Sequence, residues 1–474
     1  MKFDKKWLSV FILLFVIVQI VFIEVDIPTY LSYSRGPYSD EGLNTYAIRN
    51  WINSDFKVFP VSDNFIKAPL LSIFLFIPFC LFENDLFAGR LTIVLLVAAL
   101  IWLLQRENRY WSFLALLFIA VPTLFHFSRL MLGDLLSVFF PLVTILVFLQ
   151  RIKAKKRIDW KRYFVFILIG SLGLGFKVQS LPLFFLLFLV ALFVPVDNLK
   201  FKSKVLVLLL GFLPVFLLFS ISFSIHLNLV QYIASAVPSF FTGNNVSIFN
   251  VIEGNWKLLC YSSVDGTSIM SLAIFVFAGL IVMLIKTNTG KFILIIPILI
   301  FFIIELGALS MVYCPPRYTV GIYLIVLVCL IYCIDYFISK GKPIVFSILF
   351  LGLSILVGRQ LKDDFFERKF TFFEKNKALS KNKDIRVMIG SWAPGFTFLS
   401  ETQIAYPIWD TYLSYLEIEQ PVNYYEADLI LAENDEKDSG GAFLKRRIII
   451  TQLPKVDSLV CASWKLNFYK CEDK

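Results

Sequence analysis

The sequence predicts an all-α polytopic membrane domain of about eleven transmembrane helices, followed by a small extracytoplasmic α/β domain. Three observations carry this. The 474-residue chain is 58% hydrophobic and 17% charged, with a mean hydropathy of +0.76, which is more apolar residue than a soluble protein of this length carries. Apolar runs long enough to cross a bilayer recur from Trp7 to about Val357. Beyond that point the composition turns to near charge balance, and short β-type segments begin. Residues 1–358 are therefore the membrane domain and residues 359–474 the tail domain.

Lys2, Lys5 and Lys6 precede the first span, Trp7 to Glu24, and put the N-terminus in the cytoplasm. Met1–Glu24 has the outline of a signal peptide but no small-residue cleavage site, so it is expected to stay as a span. The loop over residues 26–68 is then extracytoplasmic. Within it, Asp40–Asn53 predicts a short amphipathic helix along the membrane surface, with Leu43, Ala47, Ile48 and Trp51 on one face. The next apolar run ends at Phe82. It is short, holds Pro69 and Pro78, and stops at Glu83-Asn84-Asp85. If it crossed, the most basic short loop, Arg151–Arg157, would fall outside, so it is read as re-entrant or interfacial.

Further spans follow near 86–104, 111–127, 134–150, 163–176, 179–196, 205–225, 268–285, 292–312, 318–338 and 343–358. The inside loops then hold Arg106 and Arg109, the 151–162 cluster, Lys200, Lys202 and Lys204, Lys286 and Lys291, and Lys340 and Lys342. This is where the positive-inside rule wants them in a plasma-membrane protein. That distribution accounts for the net charge of +10 without any nucleic-acid partner. An odd number of spans leaves the tail outside. In it, Arg386–Gly390, Ala427–Ala432, Arg447–Thr451 and Trp464–Tyr469 read as strands, and Pro394–Ser400 as a helix. The seven cysteines show no metal-ligand spacing. Cys461 and Cys471 are placed outside the reducing cytoplasm and are expected to pair.

This topology gathers polar residues on the outer face: Asp40 and Glu41, Lys67, His126 with Ser128 and Arg129, Asp134, Lys177, and Arg317 with Tyr318. A carboxylate there can accept a proton from an attacking hydroxyl or help to hold a divalent metal, for which Asp40 and Asp134 are the candidates. Lys and Arg suit a phosphate, Arg through its bidentate fork. Each residue also has a plain structural role. Asp40 can cap a helix beginning at Glu41. Lys67 can snorkel to the interface, Arg129 can pair with Asp134, and Arg317-Tyr318 can anchor a helix end. For His126 and Lys177 the structural role is preferred. For Asp40 and Asp134 the functional role is preferred, because acids beside a bilayer are costly to desolvate.

The order Ser39-Asp40-Glu41, Lys67-Ala-Pro-Leu, Ala88-Gly-Arg-Leu, Phe127-Ser-Arg-Leu-Met-Leu-Gly-Asp134 and Pro316-Arg-Tyr resembles the membrane-embedded GT-C glycosyltransferases. The protein O-mannosyltransferase and lipid A aminoarabinose transferase branches are the most similar. The resemblance covers roughly residues 7–340 and implies a GT-C fold. It implies catalytic Asp40, Glu41 and Asp134, donor-phosphate binding by Lys67, Arg317 and Tyr318, and accessory roles for Arg129 and His126. The partners implied are a polyprenyl-phosphate sugar, the bilayer, and a glycan, lipid or protein acceptor. The transfer would be inverting, with a divalent metal as the only candidate cofactor. Ala68 departs from the family pattern, which has Pro there. A transporter or flippase of lipid-linked saccharides is the competing class; its acids should lie at mid-membrane depth in symmetry-related broken helices. A saccharide polymerase would account for the large 226–267 loop but not for the Asp-Glu pair.

Overall fold

The computed structural model describes residues 5–25, 39–57, 62, 67–177, 180–225, 250–253, 292–307, 316–339, 385–390, 393–398, 404–407, 426–433, 454–461 and 464–471, and a few positions between 351 and 362. The expected spans near 268–285 and 343–358 and the expected strand Arg447–Thr451 lie wholly or largely outside the described residues. What is described is mostly helical, with one small mixed sheet.

Helix α1 is Lys5–Val21 and α2 Ser39–Asn53; α3 is Pro69–Leu81 and α4 Asp85–Glu107. A 3-10 turn (Arg109–Ser112) leads into α5 (Phe113–Ala120) and α6 (Pro122–Phe127). Then come α7 (Gly133–Lys153), α8 (Trp160–Phe176), α9 (Leu181–Phe193), α10 (Phe201–Ile225) and α11 (Phe292–Leu306). A second 3-10 turn, Pro316–Thr319, opens α12 (Val320–Ser339). Among the described residues three helices are long and apolar enough to cross a membrane: Asp85–Glu107, Gly133–Ile152 and Phe201–Ser222. Their side chains divide by position. The window of α7 is 83% buried and forms the centre, whereas that of α10 is 33% buried and turns its leucines and phenylalanines outward.

Side-chain pairs give the direction of each helix. Gln105 donates to Ser9 at 3.2 Å and Arg90 to the Ile23 carbonyl at 2.5 Å, so α1 and α4 are antiparallel. The chain between them therefore begins and ends at one end of the bundle, as a re-entrant α3 would have it. Its 13 residues span about 20 Å, short of the roughly 30 Å hydrocarbon layer. Its start packs Leu70 on Gly175 near the end of α8, and Trp51 of α2 packs on Phe76 in a tilted contact. The expected 111–127 span is instead broken. Pro122 has no N–H to continue the ladder, so α5 stops at Ala120 and α6 restarts. The broken pair still runs parallel to α1, with Phe118 on Phe15 and Phe125 on Phe22. Helices α7 and α8 are antiparallel and close: a β-carbon at Gly173 would overlap the Ser137 carbonyl and Pro141, and one at Gly133 the Phe176 carbonyl.

The tail forms a five-stranded sheet of β1 (Val387–Gly390), β2 (Ile404–Tyr406), β3 (Leu429–Glu433), β4 (Lys455–Cys461) and β5 (Trp464–Lys470), with a short helix α13 (Ala393–Phe396) after β1. The order is β2-β1-β3-β5-β4, parallel across β2, β1 and β3 and antiparallel across β3, β5 and β4. Strands β2 and β4 were not expected: β2 has only three residues and β4 alternates weakly. The register also corrects the disulfide. Cys461 lies opposite Trp464, whereas Cys471 follows the other end of β5, seven residues on. At about 3.3 Å per residue that is some 23 Å, far beyond the roughly 7 Å limit between the α-carbons of a disulfide.

Helix α2 does not lie on the membrane surface with one free polar face. It is buried on most sides between the bundle and the tail. Gly42 touches the Gly395 backbone, where any β-carbon would overlap it. Arg49 donates to the Pro394 carbonyl and Thr397 Oγ1 (both 2.9 Å) and to Asp85 (3.1 Å). Desolvation is the larger influence on Arg49 and lowers its pKa from the usual arginine value; Asp85 opposes it. Asn50 donates to the Ala405 carbonyl (2.8 Å) and accepts from the Ala405 N–H (3.0 Å). Replacing Asn50 by Ala strands both groups, at about 1–3 kcal/mol for each that stays buried. The melting temperature of the purified protein in detergent is expected to fall; an unchanged value would mean that Asn50 does not fasten the tail.

Candidate active site

Two acids stand in the first turns of two helices, where the positive end of the helix dipole favours negative charge. Asp40 is the second residue of α2 and Asp134 the second of α7. Because α2 begins at Ser39, Asp40 lies inside the helix rather than before it, so the expected capping position is not the one it occupies. Its carboxylate accepts from the Arg317 guanidinium. Asp134 accepts from the Lys177 ammonium, not from Arg129. The two pairs meet at one ring. Lys177 Nζ lies 4.5 Å from the Tyr318 centroid and the Arg317 guanidinium 5.3 Å from it, within cation–π range. The result is a continuous chain, Asp40–Arg317–Tyr318–Lys177–Asp134, drawn from α2, the Pro316–Thr319 turn, the end of α8 and the start of α7.

Glu41 is placed differently. It is sealed in the core, accepting from Arg90 Nε at 3.0 Å, Arg90 Nη2 at 2.5 Å and the Met131 N–H at 3.0 Å. Arg90 also donates to the Ile23 and Val25 carbonyls. Exposure separates the two kinds of pair: Arg90 and Glu41 are 0% and 1% exposed, whereas Arg317 and Asp40 are 14% and 19%, and Lys177 and Asp134 17% and 7%. A ligand can reach the second kind but not the first.

His126 and Arg129 also stand apart from the chain of charges. Arg129 Nη2 and His126 Nδ1 are 2.7 Å apart, Arg129 lies over Phe125, and both are buried beside Gln19, which bonds Ser128 and the Phe125 carbonyl. They join α1 to α6. Lys67 begins the segment that leads into α3, three residues before Leu70, whose contact at Gly175 lies two residues from Lys177. Lys177 is the residue that sequence reasoning set aside. Its signal was available: it ends an apolar run that parity directs to the same face as Asp134.

The donor set among the described residues does not fit a resident divalent metal. Among the described residues no group of three His, Cys, Asp or Glu side chains comes together. Asp40 and Asp134, the expected ligands, each already face a cation. The arrangement instead offers a partly exposed carboxylate, Asp40, a largely buried one, Asp134, and two partly exposed cations around an aromatic face. That set can bind a phosphate and accept a proton.

No protein-family model matches the chain, and no curated protein matches it in sequence. Among solved structures, an oligosaccharyltransferase of Archaeoglobus fulgidus, crystallised in complex with zinc and sulfate, overlaps with a TM-score of 0.46 and 13% identity, over 92% of this chain and 69% of that one. So loose an overlap carries no conclusion about chemistry.

The two acids of α2 should therefore part in their mutant behaviour. Glu41→Gln leaves the Arg90 charge buried without its counter-ion, which costs about 3–5 kcal/mol. Folded protein recovered by size-exclusion in detergent should fall sharply for Glu41→Gln and recover in part for Glu41→Gln with Arg90→Met. Asp40→Asn should elute as wild type.

Proposed function

We propose that this chain is a membrane-embedded glycosyltransferase of GT-C type, moving a sugar with inversion from a polyprenyl-phosphate donor to an extracytoplasmic acceptor. The observation that carries the reading is the joining of two acids and two partly exposed cations through Tyr318 on one end of the bundle. Arg317 and Lys177, with Lys67 at the edge, take the donor phosphate, Arg317 by its fork. Asp40 accepts the proton of the acceptor hydroxyl as its oxygen attacks the anomeric carbon. The bond from that carbon to the phosphate oxygen breaks, and the lipid phosphate leaves carrying the electron pair, its charge held by the same two cations. Asp134 holds Lys177 in place and borders the acceptor. Tyr318 is the platform that keeps both cations at one spot. Glu41 is a positioning residue, since its bonds to Arg90 and Met131 fix the start of α2 and hence Asp40. His126 and Arg129 support the adjacent helix junction.

The resemblance drawn from the sequence motifs agrees with this reading, and the domain division follows it: residues 1–358 house the reaction, and residues 359–474 brace α2 from outside. A transporter of the same lipid is the reading that would replace it. In membranes supplied with a polyprenyl-phosphate sugar, Asp40→Asn should lower transfer by about 10²–10⁴-fold, at normal abundance. Asn keeps the size of Asp but neither its charge nor its basicity. Transfer near the wild-type level would remove the proposal and leave transport in its place.

The orientation proposed puts this end of the bundle outside a plasma membrane, with the Arg151–Arg157 loop in the cytoplasm. A single cysteine at Lys155 in a cysteine-free background should react with an impermeant maleimide only after permeabilisation. Labelling in intact cells would invert the topology and place the site on the wrong side for an extracytoplasmic acceptor.

A further inference from the structure

One buried acid has no part in the chemistry above. Glu305, near the end of α11, is 7% exposed, and among the described residues no hydrogen bond or ion pair reaches its carboxylate. It lies directly against Gly321 of α12, so close that a β-carbon there would occupy the carboxylate's place. A carboxylate buried at the end of an apolar helix is expensive, and such groups as a rule answer to a partner. The nearest cation along the chain is Arg317, four residues before Gly321 and about one helical turn toward the face that carries Asp40.

Arg317 has a reason to move. It is bound to Asp40, so the guanidinium occupies a carboxylate oxygen that the acceptor hydroxyl would have to approach. For the reaction to run, Arg317 must give up Asp40 for the phosphate. An arginine has five N–H donors in a fixed fork and can hold a phosphate on one side and a carboxylate on another. Glu305 would be that carboxylate, since it packs against the α12 backbone at Gly321, four residues along the chain from Arg317.

We propose that Glu305 is a positioning residue for Arg317: when a lipid phosphate draws the guanidinium from Asp40, Glu305 becomes its second partner. Donor binding would thereby release the base, and the acceptor would be activated only in the presence of donor. The inference rests on the lipid-phosphate reading of the site and adds a second state to it.

The test uses polyprenyl phosphate without sugar, titrated into the purified full-length protein in detergent and followed by thermal shift. Binding by the wild type is the control for the lipid-phosphate reading, and its absence would remove both that reading and this one. Given that binding, Glu305→Gln should weaken it about ten-fold and Arg317→Ala about ten- to hundred-fold. Glu305→Asp, which keeps the charge, should recover part of the loss and guards against a mere packing defect. The deciding measurement is the double variant. If Glu305 acts through Arg317, Glu305→Gln with Arg317→Ala binds no more weakly than Arg317→Ala alone. Losses that multiply, or a Glu305→Gln protein that binds as wild type, would overturn the exchange while leaving the lipid-phosphate site standing.

Discussion

The arrangement of this protein depends on one buried fork, the double hydrogen bond between Arg90 and Glu41. Arg90 is anchored at its other edge by the Ile23 and Val25 carbonyls just after α1, and Glu41 takes in addition the Met131 N–H from the segment before α7. Four parts of the chain are fixed at that point: the exit of the first helix, the entry of α4, the approach to Asp134, and the first turn of α2. In a fully desolvated place a charge pair is worth little against an apolar substitute, but its geometry is unforgiving. The fork therefore serves less to stabilise the bundle than to set the position of Asp40, one residue away, relative to Asp134.

From the other side α2 is fixed by the tail. Arg49, Asn50 and Gly42 touch α13 and β2 through backbone atoms and a threonine hydroxyl, contacts that tolerate almost no displacement. The helix bearing Asp40 is thus held at its start by the bundle and along its length by the sheet. Arg317 and Lys177, by contrast, are long side chains on partly exposed pairs. Rigid acids facing movable cations suit a site that must admit a charged headgroup and let it go.

Much of this was legible in the chain. Long apolar runs located most of the described helices, and parity gave an α3 that returns to its own side, with which the Gln105–Ser9 and Arg90–Ile23 contacts agree. Asp40, Asp134, Arg317 and Tyr318 were assigned to one face and do come together. What was not legible depends on partners far apart in sequence. Glu41 looked like a second catalytic acid because it adjoins Asp40, but a helix turns about 100° per residue, so adjacent side chains point to different surroundings. The missing signal was Arg90, a cation early in an apolar helix, which needs a carboxylate somewhere. Glu305 carried the same signal in reverse. Strand β2 is too short for any periodicity, and the Cys461–Cys471 pairing failed because sequence spacing says nothing about which end of a strand each thiol occupies.

The bond between Asn50 and Ala405 bears on self-association. Ala405 belongs to β2, the edge of the sheet, and its N–H and C=O point away from β1. An unpaired strand edge invites another chain to add to it. Asn50 fills that edge with its amide, occupying the donor and the acceptor that a sixth strand would use. The helix that presents the acid is therefore also a cover for the sheet, and a chain in which α2 has come away would expose a surface able to pair with its neighbours.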